Sequence, residues 1–365
     1  MCGDRLLFRA TSLQSNPRPR QVHLTLPSFT VMSAAFSLLC LPKKALHHVL
    51  YSIDYVDIVS FSLASKKTKE VVKSLNLKIN DINLLVDNII RIQIDDFRNS
   101  TSPMIWNFYP EKEDNNIEPI TVYMPIRVIG MRDTNHVQNR VKYRNPGLSI
   151  REWLAHFQYI FSFPEENALL FAREVDMSSL IETVRGFEIE SLRFMDPCSL
   201  ECAQMVLRQF PFIKRFFACS RSFEDPSMYR NILIQNLDVL FLGYDIPFLR
   251  MELDDLLMIN SKVIYIRSTA ITDKGINRFL KHWMKGSNPR MELVTFLFFD
   301  DLVLDKDVIL KGTNYHEVLL DEARHSKQLT YGPIVVKDGY DIRRSDGTVG
   351  TVLIRPQFVR FYVWC

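Results

Sequence analysis

The sequence predicts an α+β protein in which a small unit of three helices precedes an α/β domain, and a β-meander forms the C-terminal end. Three observations lead to this prediction. Apolar residues recur at helical spacing in residues 36–75, short β-like segments recur every 24 residues further along, and two Asp-Gly turns separate apolar runs near the C-terminus. Because helices and strands repeat with periods of about 3.6 and 2 residues, the two patterns can be told apart.

The composition is typical of a globular intracellular protein. Of the 365 residues, 47% are hydrophobic and 24% are charged, which is enough apolar material for a sizeable core. The net charge of +3 equals that of the first 35 residues, so the remainder is neutral and gives no electrostatic signal for nucleic acid or membranes. The 6 cysteines are scattered without a Cys-x-x-Cys pair, which favours a reducing compartment, cytoplasmic or nuclear.

Residues 1–35 are predicted to be a disordered N-terminal extension. Pro27 and several Ser and Thr residues interrupt its apolar stretch, so no run of about 18 apolar residues could span a bilayer. Two alternatives stay open: an export or mitochondrial targeting segment, and a translation start at Met32 that would remove most of the extension.

Three short helices are predicted next. Asp57 is a candidate N-cap of the second helix and Ser65 of the third. A unit of this size is too small to be very stable alone, so we expect it to lean on a partner. The first helix places four apolar residues on one face, at spacing i, i+3, i+4 and i+7: Leu46, Val49, Leu50 and Ile53.

The same segment carries a family signature. It reads Phe36-Ser-Leu-Leu-Cys-Leu41-Pro42-Lys-Lys-Ala-Leu46-His-His-Val49-Leu50, followed by Ile53-Asp54-Tyr-Val56-Asp57-Ile58-Val-Ser-Phe61-Ser-Leu63-Ala-Ser65-Lys-Lys. This string resembles an F-box, especially the nematode type, and the resemblance covers the whole motif. It departs from the pattern where Lys43 and Lys44 replace the acidic residue that is common after Leu-Pro.

A strand-helix repeat is predicted in the second half of the chain. Units of 20 to 29 residues are the size of leucine-rich repeats, which stack into a curved parallel sheet whose concave face meets a partner. The consensus Asn ladder is missing, so the prediction is a degenerate leucine-rich-repeat-like domain; a generic α/β domain is the alternative. The recurring cores are Leu192-Arg-Phe194, Phe216-Phe-Ala218, Leu240-Phe-Leu242, Ile264-Tyr-Ile266 and Val294-Thr-Phe296, at steps of 24, 24, 24 and 30 residues.

The repeat region carries a second signature. It includes Asp254-Asp-Leu256-Leu257-Met-Ile-Asn260-Ser261, Ile276-Asn277-Arg-Phe279-Leu280-Lys281-His-Trp283-Met-Lys-Gly286-Ser-Asn288-Pro289-Arg290-Met-Glu-Leu293 and Ile309-Leu-Lys311-Gly312. These residues look like the type-2 F-box-associated domain that follows nematode F-boxes. The resemblance spans residues 150–365, and the two motifs stand in the expected order.

The sequence divides the chain into four parts. Five prolines and a polar run in residues 103–146 indicate linker and loop, with some edge strands. Asp338-Gly339 and Asp346-Gly347 predict turns of a C-terminal β-meander that closes the repeat sheet. The predicted parts are a disordered extension, the F-box, a linker with irregular strands, and the F-box-associated domain with its meander: residues 1–35, 36–80, 81–149 and 150–365.

No catalytic signature is present in the sequence, so we expect no catalytic residue, metal or cofactor. Walker A, His-Glu-x-x-His, Gly-x-Ser-x-Gly and Gly-x-Gly-x-x-Gly strings are all absent. The strongest remaining metal candidate is an acidic cluster that lacks the glycine and closing Glu of a calcium loop: Asp300, Asp301, Asp305 and Asp307. We interpret it as a solvated acidic loop.

What the resemblance implies is a substrate receptor of a cullin-RING ubiquitin ligase. Its F-box would bind the Skp adaptor, and its C-terminal domain would capture an unknown protein for ubiquitination, with no nucleic acid or membrane as partner. The alternative is a protein-interaction scaffold that engages no ligase, and an enzyme that uses the acidic cluster is a third reading. The residues expected to bind the adaptor are Leu41, Pro42, Leu46, Ile53, Val56, Ile58 and Phe61.

Overall fold

The structure is a computed structural model of the chain. The predicted extension of residues 1–35 lies outside the described residues, as do Phe36 and Ser37 at the start of the F-box-like string. The described residues are 38–96, 102–111, 119–133, 138–162, 167–219, 223, 226–243, 251–268, 270–298, 304–318, 324–326 and 334–364.

The three predicted N-terminal helices are present. They are α1 (Lys43–Ser52), α2 (Tyr55–Leu63) and α3 (Lys66–Ser74). The contacts of the chain define two compact units, and the boundary between Leu50 and Tyr51 falls within α1. The second unit therefore contains α2, α3 and everything that follows them.

The predicted cap of α3 is confirmed, whereas that of α2 is wrong. Ser65 accepts a hydrogen bond from the backbone N–H of Thr68 and begins α3. In α2 the cap is Asp54, whose carboxylate accepts from the N–H of Val56 at 2.8 Å. Asp57 lies inside the first turn, where its charge still favours the helix dipole but its backbone is already helical.

Five antiparallel strands lie among the described residues between 77 and 144, where the sequence predicted a linker with irregular strands over residues 81–149. Period-2 alternation gives the physical reason, since Ile82, Leu84 and Val86 are buried and the residues between them are not. The prolines mark turns between strands, where no ladder hydrogen bond is needed. The strands are β1 (Leu77–Val86), β2 (Ile90–Asp96), β3 (Met104–Tyr109), β4 (Arg127–Asp133) and β5 (Gln138–Arg144).

Parallel strands follow, joined by helices. The strands are β7 (Asn167–Phe171), β8 (Ser191–Phe194), β9 (Arg215–Ala218), β10 (Val239–Leu242), β11 (Val263–Arg267) and β12 (Leu293–Leu297), and a short β6 (Phe161–Ser162) pairs with β1. The connecting helices are α4 (Ile150–Ile160), α5 (Met177–Val184), α6 (Leu200–Gln209), α7 (Pro226–Leu233), α8 (Leu253–Met258) and α9 (Asp273–Met284).

The predicted spacing of 24 residues is the register of these parallel strands. Leu192 is paired with Phe216, Phe216 with Leu240, and Leu240 with Ile264, so each predicted core position directly faces its successor. Thr272 begins α9 and Gly286, at φ +106°, follows its end, as predicted. The repeat also begins one unit earlier than predicted, because β7 pairs with β8 in the same way.

Polar side chains link successive units at the edge where each strand begins. Asp238 pairs with Lys262 at 2.7 Å, and the Asn260 Nδ2 donates to the Asn236 Oδ1 at 2.7 Å. Arg290 donates to the same Asn236 oxygen at 2.7 Å. An asparagine pair at repeat spacing therefore exists where the sequence was interpreted as having no such ladder.

The C-terminal strands pair onto the last parallel strand. β18 (Phe358–Trp364) runs antiparallel to β12, and β17 (Val349–Arg355), β16 (Gly339–Arg343) and β13 (His316–Val318) continue the sheet. Asp346 and Gly347 form the turn between β16 and β17, as predicted. Asp338 and Gly339 join no hairpin, because β15 (Ile334–Val336) pairs with β14 (Arg324–Ser326).

The meander and the repeat share one packing centre. The ring of Trp283 in α9 meets that of Phe361 in β18 edge to face, with centroids 4.6 Å apart. Gly350 lies beside them on β17, and a Cβ at this position would fall 2.4 Å from the Phe361 ring and 3.1 Å from Trp283. Only glycine fits at this position, because the two rings occupy the space that a side chain would need.

We expect Gly350→Ala to lower the free energy of unfolding by about 1–3 kcal/mol, because the added methyl group overpacks this centre. Urea denaturation followed by far-UV circular dichroism measures the change. Gly275→Ala is the matched control, since its Cβ would meet only Thr272 at 3.5 Å and alanine favours the helix. Equal stability of the two variants would contradict this account.

Candidate functional site

The candidate site is the N-terminal helical segment, and its predicted adaptor-binding residues differ in exposure. Leu41 is 38% exposed and Pro42 is exposed, whereas Leu46 on α1 is buried. These three belong to the first compact unit. In the second unit Ile53 and Phe61 are half-buried, and Val56 and Ile58 are fully buried. A partner can reach the exposed and half-buried members, while the buried ones hold the helices in place.

Helix α2 is fixed to the sheet by hydrogen bonds that the sequence did not predict. The Ser60 hydroxyl and the Tyr143 hydroxyl on β5 lie 2.6 Å apart. The Ser62 hydroxyl lies 2.7 Å from the Nε2 of His156 on α4. Two serines in a largely apolar helix could have indicated these bonds in the sequence, because a buried hydroxyl needs a hydrogen-bond partner.

An ion pair fixes the beginning of α2. One oxygen of Asp54 caps the helix, and the other accepts from the Nη1 of Arg132 on β4 at 3.2 Å. Arg132 is only 5% exposed, so this pair is shielded from solvent on the arginine side. The Asp54 carboxylate therefore both caps α2 and binds Arg132 of the sheet.

Helix α3 contacts α4 through Tyr159. The ammonium groups of Lys69 and Lys73 lie 4.5 Å and 3.8 Å from the centre of the Tyr159 ring, and its hydroxyl donates to Glu70. Two lysines of this helix therefore pack on an aromatic ring, which their long aliphatic stems permit.

His156 is held neutral by its surroundings. Burial is the main cause, with the charge of Lys69 second, and together they lower the pKa of His156 to about 4. The Ser62 hydroxyl donates its one hydrogen to the carbonyl of Val59, so the Nε2–H of His156 must be the donor to Ser62. A second proton on this ring would be a buried charge.

The predicted acidic cluster is described only in part. Asp305 caps the short helix α10 (Lys306–Ile309), while Asp300 and Asp301 lie outside the described residues. Cys198 and Cys202 are buried thiols. Within the part of the chain that the structure describes, no group of three His, Cys, Asp or Glu side chains could hold a metal ion. Among the same residues, no helix is long and apolar enough to cross a membrane.

Comparison with known families supports both resemblances. The model described as F-box domain matches residues 38–80, and the model described as F-box associated matches residues 228–296. The chain carries an F-box and an F-box-associated domain. The F-box match covers α1 to α3, and the second match covers the strands from β10 to β12, so each resemblance seen in the sequence is confirmed at its place.

A nematode protein is similar over most of the chain. The chain is 19% identical over 335 residues to the F-box associated domain-containing protein sdz-33 of Caenorhabditis elegans, which covers 90% of this chain and 96% of that protein. No solved structure is a significant match. F-box and F-box-associated families are generally adaptor and substrate-recognition modules, and F-boxes typically bind a Skp adaptor within cullin-RING ligases.

We expect the stability of the protein to fall as the pH drops from about 6.5 towards 4, partly because of His156. The pKa of this ring is lowered in the fold, so the unfolded chain binds the proton at a higher pH than the folded chain does. In this window the free energy of unfolding therefore falls by up to about 1.4 kcal/mol per pH unit. Urea denaturation at several pH values should show a weaker pH dependence for His156→Gln than for the wild type. His316→Gln, at an exposed position, should keep the wild-type dependence; identical curves for all three proteins would refute the assignment.

We also expect Asp54→Ala to destabilise the protein by about 1–3 kcal/mol, because it removes both the cap and the partner of Arg132. Asp54 is itself 25% exposed, which keeps the expected loss below that of a fully buried pair. Asp54→Asn retains the capping oxygen and should lose less. The control is Asp87→Ala, which breaks the more exposed pair with Arg91 and should cost less than about 1 kcal/mol.

Proposed function

We propose that this chain is the substrate-recognition subunit of a Skp-cullin-RING ubiquitin ligase. The observation that carries the proposal is the order of the two matched domains, an F-box at residues 38–80 and an F-box-associated domain at residues 228–296. The F-box binds the Skp adaptor, and the sheet domain captures a protein for ubiquitination. The chain itself performs no chemistry and needs no cofactor.

The adaptor surface consists of the predicted residues that a partner can reach. Leu41 and Pro42 supply an exposed apolar start, and Ile53 and Phe61 contribute their half-buried side chains. Burying one Leu or Ile side chain is worth about 1.5–3 kcal/mol, so several together can offset the cost of association. Leu46 is buried in the first compact unit, and Val56 and Ile58 are buried in the second.

The mechanism is proximity. A receptor that holds a substrate beside a charged ubiquitin-conjugating enzyme raises the effective concentration of an acceptor lysine. The capture surface lies on the repeat, whose units we propose to curve in the manner of leucine-rich repeats and to offer a concave face.

A ligase-independent scaffold is the second candidate. Lys43 and Lys44 are both exposed at the N-terminal end of α1, where an acidic residue is common in F-boxes. Positive charge is unfavourable at a helix N-terminus, and it also changes the surface that an adaptor meets. In this case the sheet domain binds its partner without any ligase.

We expect the double substitution Leu41→Asp with Pro42→Ala to abolish co-elution with the host's Skp adaptor, because it places a charge in the apolar contact. Size-exclusion chromatography of the co-expressed full-length proteins measures this. Leu200→Asp is the matched control, since Leu200 on α6 is 37% exposed, close to the 38% of Leu41. The control should co-elute like the wild type.

Point substitutions test adaptor binding more specifically than a deletion of residues 36–75 would. Such a deletion would remove Ser60, Ser62 and Asp54, which bond to the sheet domain, and loss of binding could then reflect unfolding. If the double variant retains the adaptor, the ligase proposal fails. If the wild type never co-elutes, the scaffold reading replaces it.

A further inference from the structure

Strand β5 forms one end of the large sheet. It pairs with β4 on its inner side, and among the residues that the structure describes no strand pairs with its outer side. An edge strand presents a row of backbone N–H and C=O groups on which a further strand can form. Because β5 lies outside both matched domains, an inference about its outer side goes beyond the proposed function and does not depend on it.

The hydrogen bonds of β5 show which of its residues direct their backbone groups outward. The N–H of Asn145 donates to the carbonyl of Ile126, one step beyond the paired residues Arg127 and Arg144. Since hydrogen-bonded and non-hydrogen-bonded pairs alternate in an antiparallel ladder, the backbone groups of Arg144 face away from β4. The same holds at every second residue of β5. We call the residues with outward backbone groups the basic edge, and they are Arg140, Lys142 and Arg144.

The side chains of the basic edge are exposed and charged. They lie on the face of the sheet opposite α2, because Tyr143 between them contacts Ser60 of α2 and side chains alternate along a strand. Within the described part of the chain, none of the three forms an ion pair or a side-chain hydrogen bond. Their charges are therefore available to a partner.

The charge around the basic edge is mainly positive. A further arginine, Arg127 on β4, is the register partner of its last residue; it interacts with other groups of the chain, so the inference does not rest on it. The acidic residue of β4 and β5 is Asp133, which is paired with Gln138 beyond the other end of the basic edge. Asp57 lies on the α2 side, where the Nδ2 of Asn139 donates to it at 2.9 Å.

An acidic polypeptide strand is the partner that fits this edge. A second copy of the chain, paired through β5, would set like charges opposite one another, which is unfavourable. The phosphate backbone of a single-stranded nucleic acid offers no donor for the outward carbonyls, and the nearby ring of Tyr109 already stacks against the guanidinium of Arg127, 4.1 Å from its centre. An extended peptide supplies both donors and acceptors at the spacing of a strand.

We propose that the outer edge of β5 binds an extended acidic segment of another protein as an added antiparallel strand. Carboxylates at alternate positions of the segment face the basic edge, and opposite charges on directly opposed residues stabilise strand pairs. The residues between them face the half-buried Val141 and Tyr143, where β-branched side chains pack well. The recognised pattern is Glu or Asp alternating with Val, Ile or Thr.

Fluorescence anisotropy with the purified full-length chain tests the proposal. The probe is a labelled peptide of the sequence Thr-Glu-Val-Glu-Val-Glu-Thr, which has the length of β5, 7 residues. We expect the probe to bind and added salt to weaken the complex. A peptide with Gln in place of Glu should bind less tightly. A peptide of the order Glu-Glu-Glu-Thr-Val-Val-Thr should also bind less tightly, because it keeps the charge and loses the alternation.

N-methylated probes test the backbone pairing. In an antiparallel pair, residues opposite the basic edge direct their own N–H groups towards β5, and in the proposed register these are the Glu residues of the probe. Methyl groups on the Glu nitrogens should therefore abolish binding, whereas methyl groups on the Val nitrogens should leave the probe able to bind. These probes need no change in the protein, so they test the proposal even where a variant fails to fold.

Substitutions in the basic edge test the charge. Arg140→Gln with Lys142→Gln should weaken binding about tenfold, roughly threefold for each exposed ion pair removed. The matched control is Arg208→Gln with Lys285→Gln. It removes the same two kinds of charge from exposed positions at the ends of α6 and α9, and it should bind like the wild type.

Several outcomes would overturn the proposal. These are no binding of the probe, equal weakening by the two Gln pairs, binding that survives methylation of the Glu nitrogens, and tighter binding of a single-stranded RNA of about seven nucleotides. Sedimentation equilibrium of the wild type tests the remaining occupant. A dimer that the probe dissociates would show that a second copy of the chain, and not an acidic segment, occupies the edge of β5.

Discussion

The in-register pairing of the parallel strands is the constraint on which the rest of the structure depends. Residues 24 positions apart in sequence lie side by side, so Leu192, Phe216, Leu240 and Ile264 form one buried row. A slip of one residue in this pairing would turn the apolar side chains of a strand to the other face of the sheet. The longer step before β12 is absorbed in a loop, where Asn288 donates to the carbonyls of Leu256 and Ile259.

The same register produces the other features of the domain. It aligns Asp238 with Lys262 and Asn236 with Asn260 along one edge, and it brings Phe217, Phe241 and Tyr265 together in a second core cluster. Edge contacts of this kind are exposed and contribute little stability each. Their value lies in specifying how neighbouring units align, while the buried row supplies the apolar burial that stabilises the fold.

The attachment of α2 and α3 to the sheet bears on how the proposed receptor would work. Helix α2 and its cap bond to elements of the sheet domain through Ser60, Ser62 and Asp54. Helix α3 contacts Tyr159 of α4, and both helices share the compact unit of the sheet. Only Leu75 and Asn76 separate α3 from β1 along the chain. A receptor with this arrangement loses little conformational freedom when it presents a bound segment, and that favours a proximity mechanism.

The sequence by itself determined the parts of this protein that depend on local or strictly periodic patterns. Helical spacing and the Ser65 cap fixed the N-terminal helices, and the 24-residue period fixed the parallel strands, because neighbouring units repeat the same environment. Family resemblance located both domains. Which predicted adaptor-binding residues a partner can reach followed only from the structure, which shows that Val56 and Ile58 are buried. Only the tertiary structure decided that strands β1 to β5 join the sheet of the parallel strands and that Ser62 meets His156. These contacts join residues that are far apart in the chain, so no local pattern encodes them, and they form only when the strands pair.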